Sequence, residues 1–388
     1  MAAQIEHPSL SPMVAPSGSG SINPLSIAFV IPSFAGGGAE RVMLQLASHL
    51  DRERFKPIVI VLEDTGPLRG ELATDVTVLN LRTPTLRNAV GLLHRLFTEL
   101  KPDIVFSTMG FLNIGVIFAN FGRIRHRPRI VIREANIPEA TFEAFRVPFL
   151  IKAAYRYLYR YADAVICNAQ LVRDKLGAAG VQKDIISVLP NPIEINRLRQ
   201  LAASKIRSRQ RDHFVASGRL VPQKGFDRLL EWFADYPGEG PMTIFGEGPQ
   251  RRELTDLSKR LGLSERVKFP GFEEHPWQSI ADADAFLLPS RWEGMPNAAL
   301  EALALGTPVV ACREAGGIEE IASIASNGAV LLADDKDSFL AAMGAVPPRG
   351  DVNNLRASLL PEEYSLASVV LLYQEILGGE LSANRELS

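Results

Sequence analysis

Short apolar runs rich in β-branched residues alternate along this chain with longer stretches whose apolar positions recur every three or four residues. In the first half the runs fall at 26–31, 57–62, 76–81, 103–107, 129–133, 164–167 and 185–188. Segments long enough for a helix, such as 40–50 and 89–100, separate most of them. The pattern restarts after Arg211, with runs at 213–217, 242–245, 266–269, 285–288, 308–311 and 329–332. Alternation of this kind predicts parallel sheets covered by helices on both faces. Two successive series predict two doubly wound, Rossmann-like α/β domains. Ligands of such sheets sit beyond the carboxyl ends of the strands, so two facing domains place a cleft between them. The expected divisions are a flexible tail at 1–24, a first domain at 25–200, a second at 201–362 and a last segment at 363–388, with a linker around 190–211.

Composition adds limits. With 388 residues, 46% of them apolar and 22% charged, the chain can bury full cores, which excludes disordered and disulfide-stapled classes. The net charge of −2 says little, but basic residues outnumber acidic ones in the first 210 positions and the reverse holds afterwards. The first domain is therefore the better candidate to meet an anionic partner. Cys167 and Cys312, one per half and each inside an apolar run, read as buried, reduced thiols. No secretory pattern opens the chain and no stretch of about 18 uncharged apolar residues occurs, so the expectation is a cytoplasmic protein that does not span a bilayer.

Three loops carry candidate chemistry. P-S-F-A-G-G-G-A-E-R, from Pro32 to Arg41, leads from a strand into a helix. Gly37 and Gly38 let backbone approach a ligand, and free amides at a helix start attract anions. A plain tight turn explains the loop equally well, and the spacing is not the G-x-G-x-x-G of dinucleotide binding. S-G-R-L-V-P-Q-K-G, from Ser217 to Gly225, brings Arg219 and Lys224 to the edge of the second sheet. A planar fork and a compact ammonium suit a diphosphate, although a solvated basic turn is the plainer alternative. F-G-E-G-P, from Phe245, is either a loop that admits ligand or ordinary turn chemistry.

The most informative segment is P-S-R-W-E-G-M-P-N-A-A-L-E-A, from Pro289 to Ala302. Pro296 suits a first helical turn, which leaves the amides near Met295 and Asn297 at an exposed helix start. Glu293 precedes that helix and Glu301 lies within it, a lone charge among alanines and leucines. Such a charge is costly unless it faces a polar ligand or partner. Two carboxylates addressing one ligand at different depths suit a hydroxyl-rich sugar.

Together these residues resemble the retaining glycosyltransferases of family 4, which have the GT-B fold. The likeness rests on Glu293 and Glu301 in E-x7-E spacing within E-G-M-P-N-A-A-L-E-A. It is joined by G-R-L-V-P-Q-K-G, F-G-E-G-P, A-D-A-F-L-L-P-S-R-W-E-G and G-G-G-A-E-R, and it extends from about Ile27 to Leu377. It implies a nucleotide-sugar donor held mainly by the second domain. Arg219 and Lys224 would neutralise the leaving diphosphate, Glu301 would take the ribose hydroxyls, and Glu293 with Gly294, Met295, Pro296 and Asn297 would hold the donor sugar and its phosphate. Gly218, Gly246 and Gly248 would line the donor site, Phe272 would border the base, and Gly37 and Gly38 would lie near the phosphate and the incoming acceptor. The donor is a co-substrate, and no metal or other cofactor is implied; neither a D-x-D pair nor a histidine cluster with metal-ligand spacing is expected. Replacing Lys224 by alanine is expected to cost rate and little stability. The fold also implies that 366–377 is a helix crossing back to the first domain.

One departure is plain. Many relatives carry a histidine in a first-domain loop near the sugar, but Phe106 to Phe111 contains none. No such role is carried over, and all six histidines are expected to be peripheral. Arg133 and Glu134, in R-E-A-N, resemble a loop of relatives that build bacterial surface glycans, which implies contact with the acceptor. No general base is named, because in a same-face reaction the leaving phosphate oxygen helps take the acceptor's proton.

The acceptor expected is lipid-linked or saccharide. Arg123, Arg125, Arg127 and Arg129, followed by a basic and aromatic segment at 142–161, suit peripheral contact with an anionic membrane at the inner face of the plasma membrane. A core helix with cations at its rim is the alternative. No nucleic-acid-binding module is recognisable. A UDP-linked hexose or N-acetylhexosamine is favoured over GDP-mannose as donor. A sugar-nucleotide epimerase and a non-catalytic two-domain binding protein are the other readings.

Overall fold

The computed structural model describes residues 23–35, 37–122, 126–143, 148–203, 214–350 and 354–380. Most of the expected tail, Gly36 of the glycine loop, Arg123, Arg125, residues 144–147 of the basic and aromatic segment, and 204–213 of the linker lie outside them. The chain builds two wholly parallel sheets. The first contains β1 (Leu25–Ile31), β2 (Phe55–Val61), β3 (Thr77–Asn80), β4 (Ile104–Thr108), β5 (Arg129–Glu134), β6 (Ala164–Cys167) and β7 (Ile186–Val188), in the order β3-β2-β1-β4-β5-β6-β7. The second contains β8 (Phe214–Ser217), β9 (Met242–Phe245), β10 (Val267–Gly271), β11 (Ala285–Leu288), β12 (Val309–Cys312) and β13 (Val330–Ala333), in the order β10-β9-β8-β11-β12-β13. The central strands are buried on both faces: Ala28 to Ile31, Val165, Ile166 and Val215 are fully enclosed. Such strands read as unbroken apolar runs because helices cover both sides.

Each sheet reverses its strand order once, between β1 and β4 and between β8 and β11. A crevice opens beyond the carboxyl ends of the strands at such a reversal. The glycine loop follows β1, the Arg219–Lys224 turn follows β8, and Pro289 to Asn297 follows β11. The three candidate loops thus stand at the two switch points.

The connections between the sheets are structured. Helix Ile195–Ala203 buries Leu198 and Ala202, and Arg199 Nη1 donates to Ala304 O (3.1 Å) on a helix of the second sheet. This helix thus packs toward the second sheet within the linker expected around 190–211. Helix Leu366–Gly378, capped at Ser365, returns to the first sheet, where Val369, Tyr373 and Leu377 join the core of Ile27, Phe29 and Phe106. The returning segment runs beside the outgoing one: Ile193 N donates to Tyr364 O (2.9 Å) and Leu366 N to Ile193 O (3.0 Å). Cys167 and Cys312 are free and buried, and burial pushes their thiols up to about 12 and about 11. Among the described residues no helix is long and apolar enough to cross a membrane.

Candidate active site

The loop after β8 makes one short 3₁₀ turn, Pro222–Lys224, before Gly225 takes the left-handed conformation (φ 67°) that starts the next helix. A Cβ on Gly225 would strike the Pro289 carbonyl, so the two loops of the second switch point pack backbone to backbone. That packing delivers Lys224 to Glu293: Nζ lies 2.5 Å from Oε1, which also accepts from Ser290 Oγ (2.7 Å). Glu293 is only 6% exposed. Gly218 leaves passage for the lysine stem, since a Cβ there would lie 3.2 Å from Lys224 Cε. Gly246 and Gly248 admit backbone: their missing side chains would strike the carbonyls of Gly218 and Leu220. Arg219 is exposed beside this pair. Phe272, just past β10, is 60% exposed.

Pro296 caps helix Asn297–Ala304 in an extended conformation. From this helix Glu301 turns toward the first sheet. Its Oε2 accepts from the Trp277 indole (3.0 Å), and its Oε1 lies 3.6 Å from Arg41 Nη1, whose guanidinium also faces Glu71. Burial raises the Glu301 carboxyl, while Arg41 and Trp277 oppose the rise. The lone charge in the apolar helix thus has partners, one of them from the other half of the chain. Arg41, Glu71, Trp277, Asn297, Glu301 and the crossing segment around Ile193 line a cavity. His275 stacks on Trp277 with ring centroids 4.5 Å apart. The expectation that every histidine is peripheral fails for this residue, which stands one side chain from Glu301.

The halves touch where glycines permit it. A Cβ on Gly294 would come within 2.5 Å of Ala135 O and 2.9 Å of Asn168 Oδ1, and one on Gly38 within 2.6 Å of Asn297 Nδ2. Met295 is buried at this contact, its Cε 3.0 Å from where Gly317 would carry a Cβ. Met109, at the end of β4, holds φ 74°, a conformation that costs a non-glycine residue of order 1–3 kcal/mol and clusters at functional sites.

Arg133 and Glu134 are buried, at 0% and 2% exposure, and their polar atoms are met from inside the protein. Arg133 donates to Asn191 Oδ1 (2.5 Å), Tyr373 Oη (3.2 Å) and Thr108 Oγ1 (3.5 Å), and Asn191 in turn donates to Asn297 Oδ1. This chain of contacts joins β5, the last helix, the crossing segment and the helix that carries Glu301. Glu134 Oε1 accepts from Asn113 Nδ2 (2.9 Å), Tyr155 Oη (3.2 Å) and Tyr159 Oη. Burial nonetheless lifts the Glu134 carboxyl to about 7. The folded protein then keeps this proton between the carboxyl's ordinary value of 4.5 and about 7, where the unfolded chain has lost it. Its contribution is present below 4.5 and lost as pH rises to about 7. Glu134→Gln does not titrate, so its stability relative to the parent is expected to improve by up to roughly 3 kcal/mol between pH 4.5 and 8. Urea melts across that range check this; a constant difference would refute it.

Contrary to the expectation that no D-x-D pair occurs, Asp282 and Asp284 stand at that spacing, a pattern used elsewhere to hold metal ions, but both are engaged by Arg349. Its Nη1 lies 2.8 Å from Asp282 Oδ1, and its main-chain N donates to Asp284 Oδ1 (2.6 Å). Among the described residues no three His, Cys, Asp or Glu side chains are grouped to hold a metal ion.

Residues 36–197 match the family Glycosyltransferase Family 4, and residues 200–346 match Glycosyl transferases group 1. The chain is 27% identical over 323 residues to the N-acetylgalactosamine-N,N'-diacetylbacillosaminyl-diphospho-undecaprenol 4-alpha-N-acetylgalactosaminyltransferase of Campylobacter jejuni, covering 80% of this chain and 86% of that one. It is also 27% identical over 244 residues to an uncharacterized glycosyltransferase of Methanocaldococcus jannaschii, covering 58% of this chain and only 59% of that relative. In fold it is similar to the lipopolysaccharide outer core galactosyltransferase WaaB (TM-score 0.67, 20% identity, 92% of this chain and 100% of that one). It is similar also to Anabaena HepE, solved in complex with UDP-glucose (TM-score 0.65, 22% identity, 91% and 95%).

Proposed function

The chain belongs to the GT-B glycosyltransferases, and from that premise we propose a retaining enzyme that moves a hexose or N-acetylhexosamine from a UDP-sugar to a lipid-linked or polysaccharide acceptor in surface-glycan synthesis. The observation that carries the reading is the approach of Arg41 to Glu301 and of Gly38 to Asn297 across the facing switch points of the two sheets, with the Lys224–Glu293 pair held in the same second-sheet loops. The Campylobacter relative acts on a diphospho-undecaprenol acceptor, and HepE is solved with UDP-glucose, which favours a lipid-linked acceptor and a UDP-linked donor here.

Breaking the glycosyl–phosphate bond builds positive charge at the anomeric carbon and negative charge on the diphosphate. Arg219 and Lys224 meet the second, and they act strongly because the closing halves exclude water. Glu293, held by Lys224 and Ser290, presents its carboxylate to the donor sugar. Glu301, braced by Trp277, accepts from the ribose hydroxyls once Arg41 makes room. The leaving phosphate oxygen takes the acceptor's proton as the new bond forms on the same face. The two cations replace a metal in this scheme.

The acceptor side of the proposal includes shallow membrane contact. Phe149, Leu150 and Tyr157 are 70%, 56% and 56% exposed on helix Pro148–Leu158. Phe118, Phe121 and Tyr161 form a neighbouring cluster of edge-packed rings. Lys152, Arg156 and Arg160 interleave with them. The same segment turns Tyr155 and Tyr159 into the core, which leaves its outer face for the membrane contact proposed. The test is one assay: a panel of UDP- and GDP-sugars with a polyprenyl-diphosphate-linked glycan in anionic vesicles, with and without EDTA. Transfer with retained anomeric configuration from a UDP-sugar, unaffected by EDTA, is expected. Absence of both transfer and donor hydrolysis across the panel would refute the reading.

A further inference from the structure

Helix Gly38–His49 opens with two features that the reaction above leaves unused. Its N-cap, Gly37, supplies no side-chain hydrogen bond, and the amide of Glu40 in the first turn is met by the Glu40 carboxylate itself. Glu40 is only 5% exposed and folds back over the helix start: its Oε2 occupies the place into which a Cβ on Gly37 would project. This oxygen has no hydrogen-bond partner among the described residues. The charged groups facing the carboxylate come from other elements. They are Arg219, from the turn after β8, and Arg133, from β5; the adjacent Arg41 is turned instead to Glu71 and Glu301. Arg219 is exposed and makes no ion pair with Glu40, although it lies within electrostatic reach.

A carboxylate over an uncapped helix start, opposite an arginine of the other sheet, stands where an anion bridging the two would bind. We propose that Glu40 is a placeholder for the donor's phosphate, holding the start of this helix in the unliganded protein and giving way when a nucleoside diphosphate bridges the helix and Arg219. The proposal rests on the transferase reading and deepens it by making Glu40 a positioning residue for the diphosphate. It explains why a charged side chain is buried with an oxygen unmet, which is otherwise costly. Burial also raises the Glu40 carboxyl, so that lowering the pH moves it toward the neutral form, which competes least with phosphate.

The test is calorimetric titration of the full chain, wild type and Glu40→Gln, with UDP and with uridine between pH 5.5 and 8. Glutamine keeps the shape and removes the charge. UDP is expected to bind Glu40→Gln about tenfold more tightly at pH 8, and the advantage is expected to shrink as the pH falls. Uridine, which lacks the phosphates, is expected to bind both proteins alike; this separates Glu40 from Glu301, which faces the ribose. Glu40→Ala, which removes charge and hydrogen bonding together, should also tighten UDP. Equal or weaker UDP binding by both variants, or the same gain with uridine, would overturn the proposal while leaving the transferase reading intact. Failure of the wild type to bind UDP or GDP would instead overturn that reading, and the proposal with it.

Discussion

Replacement of Lys224 by alanine is expected to slow sugar transfer by about 10³-fold, the scale of losing one preorganised charge at a developing anion. The loss should fall on kcat more than on KM, because the charge that Lys224 meets appears as the bond breaks. The structure revises the second half of the expectation from sequence, that stability would hardly change. Lys224 and Glu293 are mostly enclosed and lie 2.5 Å apart, and alanine leaves Glu293 with Ser290 as its side-chain donor. A cost of roughly 1–3 kcal/mol follows. Adding Glu293→Gln to Lys224→Ala is expected to recover much of that stability and none of the rate. Single-turnover kinetics and thermal melts on the same preparations separate the two effects. A single variant retaining more than a tenth of the parent's kcat would remove Lys224 from the mechanism.

The largest effect on stability is expected at Arg133. It is fully buried, and the side chains that accept its hydrogen bonds are uncharged: Asn191, Tyr373 and Thr108. Arg133→Ala would leave a cavity and strand the oxygen of Asn191, at a cost of roughly 3–5 kcal/mol. Arg133→Met fills the space without burying a charge and should cost distinctly less. Because Asn191 hands the contact on to Asn297, both variants should also weaken donor binding. Urea denaturation with a Tyr373→Phe double-mutant cycle measures the coupling. A loss under 1 kcal/mol for Arg133→Ala would show that the network is not structural.

Much of this architecture was legible because parallel strands buried on both faces leave continuous apolar runs. The run at 26–31, for instance, falls within β1 (Leu25–Ile31), whose last five residues are buried. The second-sheet motifs were legible for a related reason: glycine, proline and lone charges stand out at the ends of such runs. What stayed hidden depends on partners far apart in sequence. Nothing local links Arg41 to Glu301, Trp277 to Glu301 or Arg133 to Asn191. Glu40 lay inside a motif already singled out, yet its burial follows from the facing sheet. The basic and aromatic segment hid a division of labour: Tyr155 and Tyr159, four apart, face the core, while Tyr157 between them faces out. The helical spacing of those residues was the available signal.

The bonded pair of segments at Ile193 and Ser365 also ties the outgoing and returning connections to each other. Chain that passes twice through one seam joins the two sheets at a single bonded place rather than by two separate tethers. Residues opposed across the junction, Gly38 with Asn297 and Arg41 with Glu301, stand in register on either side of this seam.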